Sequence, residues 1–223
     1  DLQGIIDHLD YLEDLGVTAL WSTPLCEDND SKVSYHTYAQ SDLYRIDPRF
    51  GTNQQYRDLA DGLHNRGMKL IMDYVTNHWG VDHRKEIHSD PYAAEQDRKE
   101  LKEGWFVPSM ADLNQENPLL LTYLIQNALW WIEFAQIDGF RVDTYPYNDP
   151  EPMTVWVSAI REEYPHFNIV GEGWMHSTIH LSYWQEKSPI AALQGYDSKL
   201  PSVMDFTLND ALIKAFNEHN SYW

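Results

Sequence analysis

Hydrophobic positions along this chain follow two alternating patterns. Short, nearly continuous apolar runs are typical of strands buried on both faces of a parallel sheet. Longer segments with apolar residues three or four positions apart predict helices between these runs. The predicted strands are VTALW at 17–21, KLIMDYV at 69–75, DGFRVD at 138–143, NIVGEG at 168–173 and SVMDFTL at 202–208.

Helix start and stop signals support the second pattern. A helix over 2–15 is followed by Gly16 as a stop signal. Thr52 and Gln55 form a capping box for the next helix, which Gly67 ends. The remaining predicted helices lie over 121–135, around Val157 and Ile160, and around Leu212 and Phe216.

The alternation of strands and helices predicts a parallel α/β architecture. Five strands fit either an open doubly wound sheet or part of a (β/α)8 barrel. No GxGxxG or GxxxxGK follows a predicted strand, which is unfavourable for a nucleotide-binding open sheet. Residues 79–116 show no clean period and are rich in charge, His and Pro. We therefore predict a small inserted subdomain or loop excursion there, between main-domain segments 1–78 and 117–223.

Composition excludes several classes of function. The 223 residues include 16 Lys and Arg against 35 Asp and Glu, a formal net charge of −19, so the protein's field repels nucleic acid and anionic lipid. No apolar run reaches membrane-spanning length. The single cysteine, Cys26, rules out an internal disulfide, and we assign it to packing rather than to nucleophilic catalysis.

An acidic residue lies at or near the carboxyl end of each of the last four predicted strands. These residues are Asp73, Asp143, Glu172 and Asp205. Because the carboxyl ends of barrel strands surround one cavity, we expect several carboxylates to converge there. Taken singly, Asp73 and Asp205 are explained equally well as capping or loop-anchoring acids.

Asp143 and Glu172 have neighbours that indicate different chemical roles. Arg141 lies two residues before Asp143 in a strand, so we expect its guanidinium on the same face, lowering the pKa of Asp143. Glu172 precedes Trp174, whose ring is expected to desolvate the carboxyl and raise its pKa. Such a pair can cleave an acetal, the first acid as nucleophile and the second as acid/base.

Three motifs in order resemble those of the alpha-amylase family of retaining glycoside hydrolases. They are DYVTNH at 73–78, GFRVD at 139–143 and GEGW at 171–174. GEGW and the late SVMDF are most similar to the neopullulanase and cyclomaltodextrinase group. The resemblance runs over essentially the whole chain. It implies an incomplete (β/α)8 TIM barrel of about strands two to six, with a small irregular insertion after the third strand.

The resemblance implies roles for the matching residues. Asp143 is the nucleophile, Glu172 the acid/base, and Arg141 the residue that holds Asp143 charged, while Asp73 gives structural support. The implied substrate-binding residues are His78, His36, Tyr38, Tyr35 and Trp174.

Asn77 and Asp112 match positions that bind calcium in many family members. The group resembled here often lacks that ion, so calcium stays open and no other cofactor is required. Zinc is disfavoured because His78, His83 and His88 recur every five residues, which does not align on one helical face, and no HExxH occurs.

One family motif is absent from this chain. The family's third catalytic acid follows an Asn-His-Asp motif at the seventh strand, and no such motif occurs after residue 205. By the same resemblance, the chain lacks strands one, seven and eight of a complete barrel. We therefore predict that it is a fragment of a longer enzyme or a natural truncation. Two unpaired sheet edges then predict self-association.

The implied function is hydrolysis of α-glucosidic bonds in starch-type glucans or maltodextrins through a covalent glycosyl-enzyme. A transglycosylase or a sucrose- or trehalose-type isomerase would use the same residues, and a non-catalytic carbohydrate-binding homologue is a further alternative. The resemblance suggests a periplasmic or secreted setting, with the cytoplasm as the alternative. The preference between α-1,4 and α-1,6 linkages depends on loops in 79–116 and on segments outside the chain.

Overall fold

The computed structural model of the protein describes residues 1–29, 35–80 and 110–217. The strands in these ranges are β1 (Ala19–Trp21), β2 (Cys26–Glu27), β3 (Asp42–Ile46), β4 (Lys69–Tyr74), β5 (His78–Gly80), β6 (Met110–Asp112), β7 (Gly139–Val142), β8 (Asn168–Gly171) and β9 (Ser202–Val203). The helices are α1 (Leu2–Ile6), α2 (Leu9–Asp14), α3 (Asn53–His64), α4 (Pro118–Ala135), α5 (Pro150–Glu163), α6 (Thr178–Ser182), α7 (Pro189–Ala192) and α8 (Phe206–Asn217). None of these described helices is long and apolar enough to cross a membrane.

Five strands form one parallel sheet in the order β1-β4-β7-β8-β9. The five strands and the parallel architecture predicted from the sequence are therefore confirmed. In the register of the sheet, Asp73 lies beside Arg141, and Val142 lies beside Gly171. This register brings the carboxyl ends of β4, β7 and β8 to the same edge. Within the described ranges the sheet is open, with β1 and β9 at its edges.

Two predicted elements differ from the structure. The helix expected over 2–15 is divided into α1 and α2 by a turn at positions 7 and 8. The strand expected over 202–208 stops at Val203, and α8 follows soon after it. The reason is Asp205, whose carboxylate accepts a hydrogen bond of 2.9 Å from the backbone N–H of Leu208. This contact is a helix cap, which ends the extended segment early.

Aromatic side chains fill the space between the sheet and the helices α4 and α5. The ring of Phe140 in β7 lies 4.6 Å from that of Tyr74 and 5.8 Å from that of Trp156, measured between centroids. Trp131 of α4 is fully buried, and its indole N–H donates a 2.7 Å hydrogen bond to the backbone oxygen of Leu43. This packing fixes the strands whose ends carry the polar residues described below.

Gly139 begins β7 at a point where the neighbouring strand comes close. A Cβ atom at this position would lie 2.8 Å from the backbone oxygen of Asn168 and 3.0 Å from Cδ1 of Ile71. The glycine that opens GFRVD is therefore required by strand packing. The charged residues that follow it need a separate explanation.

The insertion predicted at 79–116 is described only near its ends. There β5 and β6 pair as an antiparallel ribbon, with His78 opposite Asp112. Residues 81–109 lie outside the described residues. The proposed division into segments 1–78, 79–116 and 117–223 therefore stays a prediction.

Candidate active site

Four charged residues meet at the carboxyl edge of the sheet. Asp73 belongs to β4 and Arg141 to β7, while Asp143 and Glu172 directly follow β7 and β8. All four are buried, with 2 to 6 % of each residue exposed. The convergence of carboxylates predicted from the sequence is confirmed for these three acids.

Arg141 is the central contact of this cluster. Its Nη1 donates to Oδ1 of Asp143 at 2.8 Å and to Oδ1 of Asp73 at 3.0 Å. Its Nη2 forms an ion pair with Oε1 of Glu172. The contact with Asp143 was expected from the sequence, whereas the contact with Glu172 was not. One guanidinium therefore holds three carboxylates together.

The electrostatics of the cluster differ from the sequence prediction. Burial raises the pKa of Asp73 to about 7 and that of Asp143 to about 6, although Arg141 lowers both. Arg141 acts in the expected direction, but the expected low pKa of Asp143 is wrong, because burial outweighs the effect of the guanidinium. One positive charge is shared among three buried acids, and the negative charge of Glu172 adds to the effect of burial on Asp143.

These raised pKa values predict that the contribution of Asp73 and Asp143 to stability falls as pH rises from about 4 to about 7. The ordinary carboxyl pKa is 3.8, whereas that of folded Asp73 is about 7 and that of folded Asp143 about 6. At these two groups the folded state binds more protons than the unfolded state in this window, so their contribution to the free energy of unfolding falls as pH rises. Asp73→Asn removes one of these acids and is expected to flatten the decline, as measured by urea unfolding across this pH range.

The slope of the free energy of unfolding against pH must be compared between Asp73→Asn and wild type, because carboxyls with lowered pKa values contribute a slope of opposite sign. At Asp47, burial acts to raise the pKa, but hydrogen bonds from Arg49 and from the backbone N–H of Asp28 together outweigh it and lower the pKa. Asp58→Asn, on the exposed side of α3, is the matched control and should leave the wild-type slope unchanged. Equal slopes for wild type and Asp73→Asn would contradict the prediction.

Glu172 is held by two donors besides Arg141. The indole Nε1 of Trp174 donates to Oε1 at 2.7 Å, and the backbone N–H of Thr144 donates to Oε2 at 3.0 Å. Trp174 itself is 70 % exposed. Trp174 therefore contacts the carboxylate through a hydrogen bond, and the predicted desolvation of Glu172 by its ring stays a prediction.

Thr144 is a site residue that the sequence analysis missed. Its backbone is left-handed, with φ 44° and ψ 39°, which is uncommon for a β-branched residue. This conformation directs its N–H to Glu172, and its hydroxyl donates to Oδ2 of Asp143 at 3.3 Å. Thr144 thus contacts both acids. The sequence feature that could have indicated Thr144 is its position directly after Asp143.

A cavity of about 440 Å³ opens beside the cluster. The lining residues predicted from the sequence are His36, Tyr38, His78, Arg141, Asp143, Glu172 and Trp174. Sequence reasoning missed Met110, Thr144 and Tyr147, which also line the cavity. Tyr35 is not among the lining residues and is 84 % exposed, and its ring contacts that of His36 at 5.0 Å between centroids.

His78 and Tyr38 connect the wall of the cavity to the acids. His78 is fully buried, and its Nε2 lies 4.0 Å from Oδ2 of Asp143. Burial, followed by the neighbouring His36, lowers the pKa of His78 to about 4, so the imidazole is neutral at pH 7. The hydroxyl of Tyr38 donates to Oδ2 of Asp73 at 3.2 Å, which ties the tyrosine ring to the cluster.

Asp205 does not join the other acids. Its Oδ1 accepts hydrogen bonds from the backbone N–H of Leu208 at 2.9 Å and from the hydroxyl of Thr207 at 2.7 Å. It is exposed and does not line the cavity. Of the two explanations that the sequence left open for Asp205, capping is the one found.

Asn77 and Asp112 are the residues for which the sequence left calcium binding undecided. The side-chain oxygen of Asn77 is buried and has no hydrogen-bond partner among the described residues, which fits an amide ligand of Ca²⁺. Asp112 would add a carboxylate. Within 1–29, 35–80 and 110–217, no group of three or more His, Cys, Asp or Glu side chains could hold a metal ion. The buried oxygen of Asn77 fits one ligand of a calcium shell, and no chemical step below is routed through the ion.

Cys26 lies apart from this chemistry. It is buried in β2, and burial raises the pKa of its thiol. A thiol whose ionisation is suppressed in this way is a poor nucleophile. The structure therefore supports the packing role predicted for Cys26.

Comparison with known proteins finds a family model, relatives and solved structures that agree with one another. Residues 1–102 match the family model of the alpha-amylase catalytic domain. The intracellular maltogenic amylase of Bacillus subtilis (strain 168) is 37 % identical over 192 residues, which cover 78 % of this chain and 31 % of that protein. Neopullulanase 2 of Thermoactinomyces vulgaris is 33 % identical over 237 residues, covering 97 % of this chain and 37 % of that protein.

A solved structure of a cyclomaltodextrinase superposes on this chain with a TM-score of 0.77 at 28 % identity. The match covers 98 % of this chain and 37 % of that one. The chain thus spans only 31 to 37 % of the length of these three relatives. The similarity to neopullulanases and cyclomaltodextrinases predicted from the motifs is confirmed.

Proposed function

Because this chain belongs to the alpha-amylase family of glycoside hydrolases, we propose that it forms the active site of a retaining enzyme that cleaves α-glucosidic bonds in starch-type glucans or maltodextrins. The observation that carries the proposal is that one guanidinium, that of Arg141, joins Asp143 and Glu172 at the wall of one cavity. Two carboxyl groups beside one cavity are the groups that glycoside hydrolysis uses.

Asp143 is the proposed nucleophile. Arg141 holds its Oδ1, whereas Oδ2 lies on the side of His78, and we assign Oδ2 as the oxygen that attacks the anomeric carbon. The bond from that carbon to the leaving oxygen breaks as Glu172 gives its proton to that oxygen. Glu172 then takes a proton from water, and the water oxygen displaces Asp143 from the sugar. Two inversions at the same carbon give net retention.

The productive form needs Asp143 ionised and a proton on Glu172. The raised pKa values of Asp73, about 7, and Asp143, about 6, keep protons within the cluster near neutral pH. Because such close acids titrate as one unit, their protons are shared rather than assigned to fixed sites. Arg141 contacts all three acids and therefore influences which of them is ionised.

The cavity wall supplies the proposed sugar contacts. His78 is neutral at pH 7 and, with His36, offers hydrogen bonds to sugar hydroxyls. The rings of Tyr38 and Trp174 line the cavity and can pack against apolar sugar faces. Tyr35 is assigned to the outer edge of the site, because it is exposed and contacts the ring of His36.

The relatives also suggest the setting of this chain. Since it spans 31 to 37 % of their length, we propose that the five-stranded sheet corresponds to about strands two to six of a longer (β/α)8 barrel. The name of the Bacillus subtilis relative favours the cytoplasmic alternative over the periplasmic or secreted one. Self-association through sheet edges stays a prediction.

The test uses the complete polypeptide that carries this chain. It is expected to release new reducing ends from maltodextrins and from a cyclic dextrin, measured by a reducing-sugar assay with chromatography of the products. The same reaction with excess sugar acceptor separates hydrolysis from transfer, because a transferase elongates the acceptor. Unchanged sugar after long incubation would contradict the proposal and favour a non-catalytic binding protein.

A further inference from the structure

The segment SVMDF at 202–206 takes no part in the proposed chemistry, yet its last residue reaches the active site. Asp205 caps α8, so the helix begins at Phe206. The ring of Phe206 lies 5.4 Å from that of Trp174 between centroids, at an interplanar angle of 35°. Trp174 in turn donates its 2.7 Å hydrogen bond to Glu172. A continuous line of contacts therefore runs from α8 to the proposed acid/base.

Trp174 depends on such a support because of its position. It lies in the loop that follows β8, and its side chain is 70 % exposed. An exposed side chain samples several rotamers unless a neighbour packs against it. Phe206 supplies that neighbour, at a centroid distance of 5.4 Å that is within the usual range for aromatic pairs. The direction of the indole N–H towards Glu172 is thereby restricted.

A second contact joins the same loop to α8. Nδ1 of His176 lies 2.6 Å from Oδ2 of Asp210. Because Phe206 and Asp210 are four residues apart in a helix, they lie on one face. One face of α8 therefore contacts the loop both at Trp174 and at His176. The first of these contacts leads directly to the acid.

We propose that Phe206 is a positioning residue for the acid/base. By packing on Trp174, it aims the indole N–H at Glu172 and holds the carboxyl in place for the leaving oxygen. This inference rests on the proposed function, since it concerns the proton-transfer role of Glu172. It assigns a purpose to SVMDF that capping by Asp205 alone does not provide.

The test compares two substrates with Phe206→Ala in the complete polypeptide. One is a maltoside whose poor leaving group needs a proton, and the other is maltosyl fluoride, whose fluoride departs with little help from an acid. We expect kcat/KM to fall by about tenfold for the maltoside and by less than about twofold for the fluoride. Phe206→Tyr keeps the ring and should restore the maltoside rate. Phe216→Ala, on the same helix and 79 % exposed in wild type, is the matched control.

Glu172→Gln separates failure of this inference from failure of the proposed function. If Glu172→Gln shows no leaving-group dependence, the acid/base assignment itself is wrong. If Glu172→Gln shows that dependence and Phe206→Ala does not, only the role of Phe206 is overturned. Phe206→Leu keeps apolar volume without a flat ring, and it provides the same test with a smaller expected loss if the alanine variant does not fold.

Discussion

Asp143→Asn is expected to lower kcat on maltodextrins by on the order of a thousandfold or more, which is about 4 kcal/mol of transition-state stabilisation. An asparagine oxygen can still accept the hydrogen bond that Arg141 donates to Oδ1 at 2.8 Å, so the local geometry is largely kept. The amide lacks the negative charge that forms the bond to the anomeric carbon. The loss therefore measures the nucleophile and not the packing. Steady-state kinetics at saturating substrate give the value.

Asp205→Asn is the matched control for this experiment. Asp205 also lies near the end of a sheet strand, but it caps α8 and does not line the cavity. Because asparagine caps helices about as well as aspartate, kcat is expected to stay at the wild-type value. Near-normal turnover by Asp143→Asn would show that another residue is the nucleophile.

Glu172→Gln is expected to lower kcat/KM by on the order of a thousandfold for substrates with poor leaving groups. Glutamine preserves the shape of the side chain, but its single amide oxygen can accept only one of the two hydrogen bonds that Trp174 and Thr144 donate to Glu172 at 2.7 and 3.0 Å. It cannot transfer a proton to the leaving oxygen. For maltosyl fluoride, which needs little protonation, the loss should be much smaller.

The pH profile gives a second measurement on Glu172→Gln. A proton donor contributes the limb of a bell-shaped kcat/KM profile on which activity falls as pH rises. The variant lacks this donor, so its profile should lose this limb, whereas the other limb, which reports the coupled acids that include Asp143, should remain. A uniform loss with both substrates and an unchanged profile would show that Glu172 has a role other than proton transfer.

The sheet could be predicted because its strands carry a strong local signal. Lys69–Tyr74 and Gly139–Val142 are short apolar runs between helices with clear caps, and such runs fit a parallel sheet. The strand predicted over 202–208 failed for a local reason. The carboxylate of Asp205 caps a helix there, and capping outweighed the strand propensity of the apolar residues around it.

The acids of the site could be predicted, but their electrostatics could not. Strand ends and spacing indicated Asp73, Asp143 and Glu172, which the structure brings together. The pKa of Asp143 depends on how deeply the group is buried and on how many acids share Arg141, and no sequence pattern reports either quantity. The contact of Thr144 with both acids likewise depends on a left-handed backbone at that residue.

The anomeric configuration of the first product tests the central claim most directly. Proton NMR of the complete polypeptide acting on a maltodextrin, recorded before mutarotation, separates the two anomers. Attack by Asp143 followed by water predicts the α-anomer as the initial product, because two inversions restore the configuration. An initial β-anomer would mean that water attacks directly, and it would contradict the role of Asp143 as nucleophile.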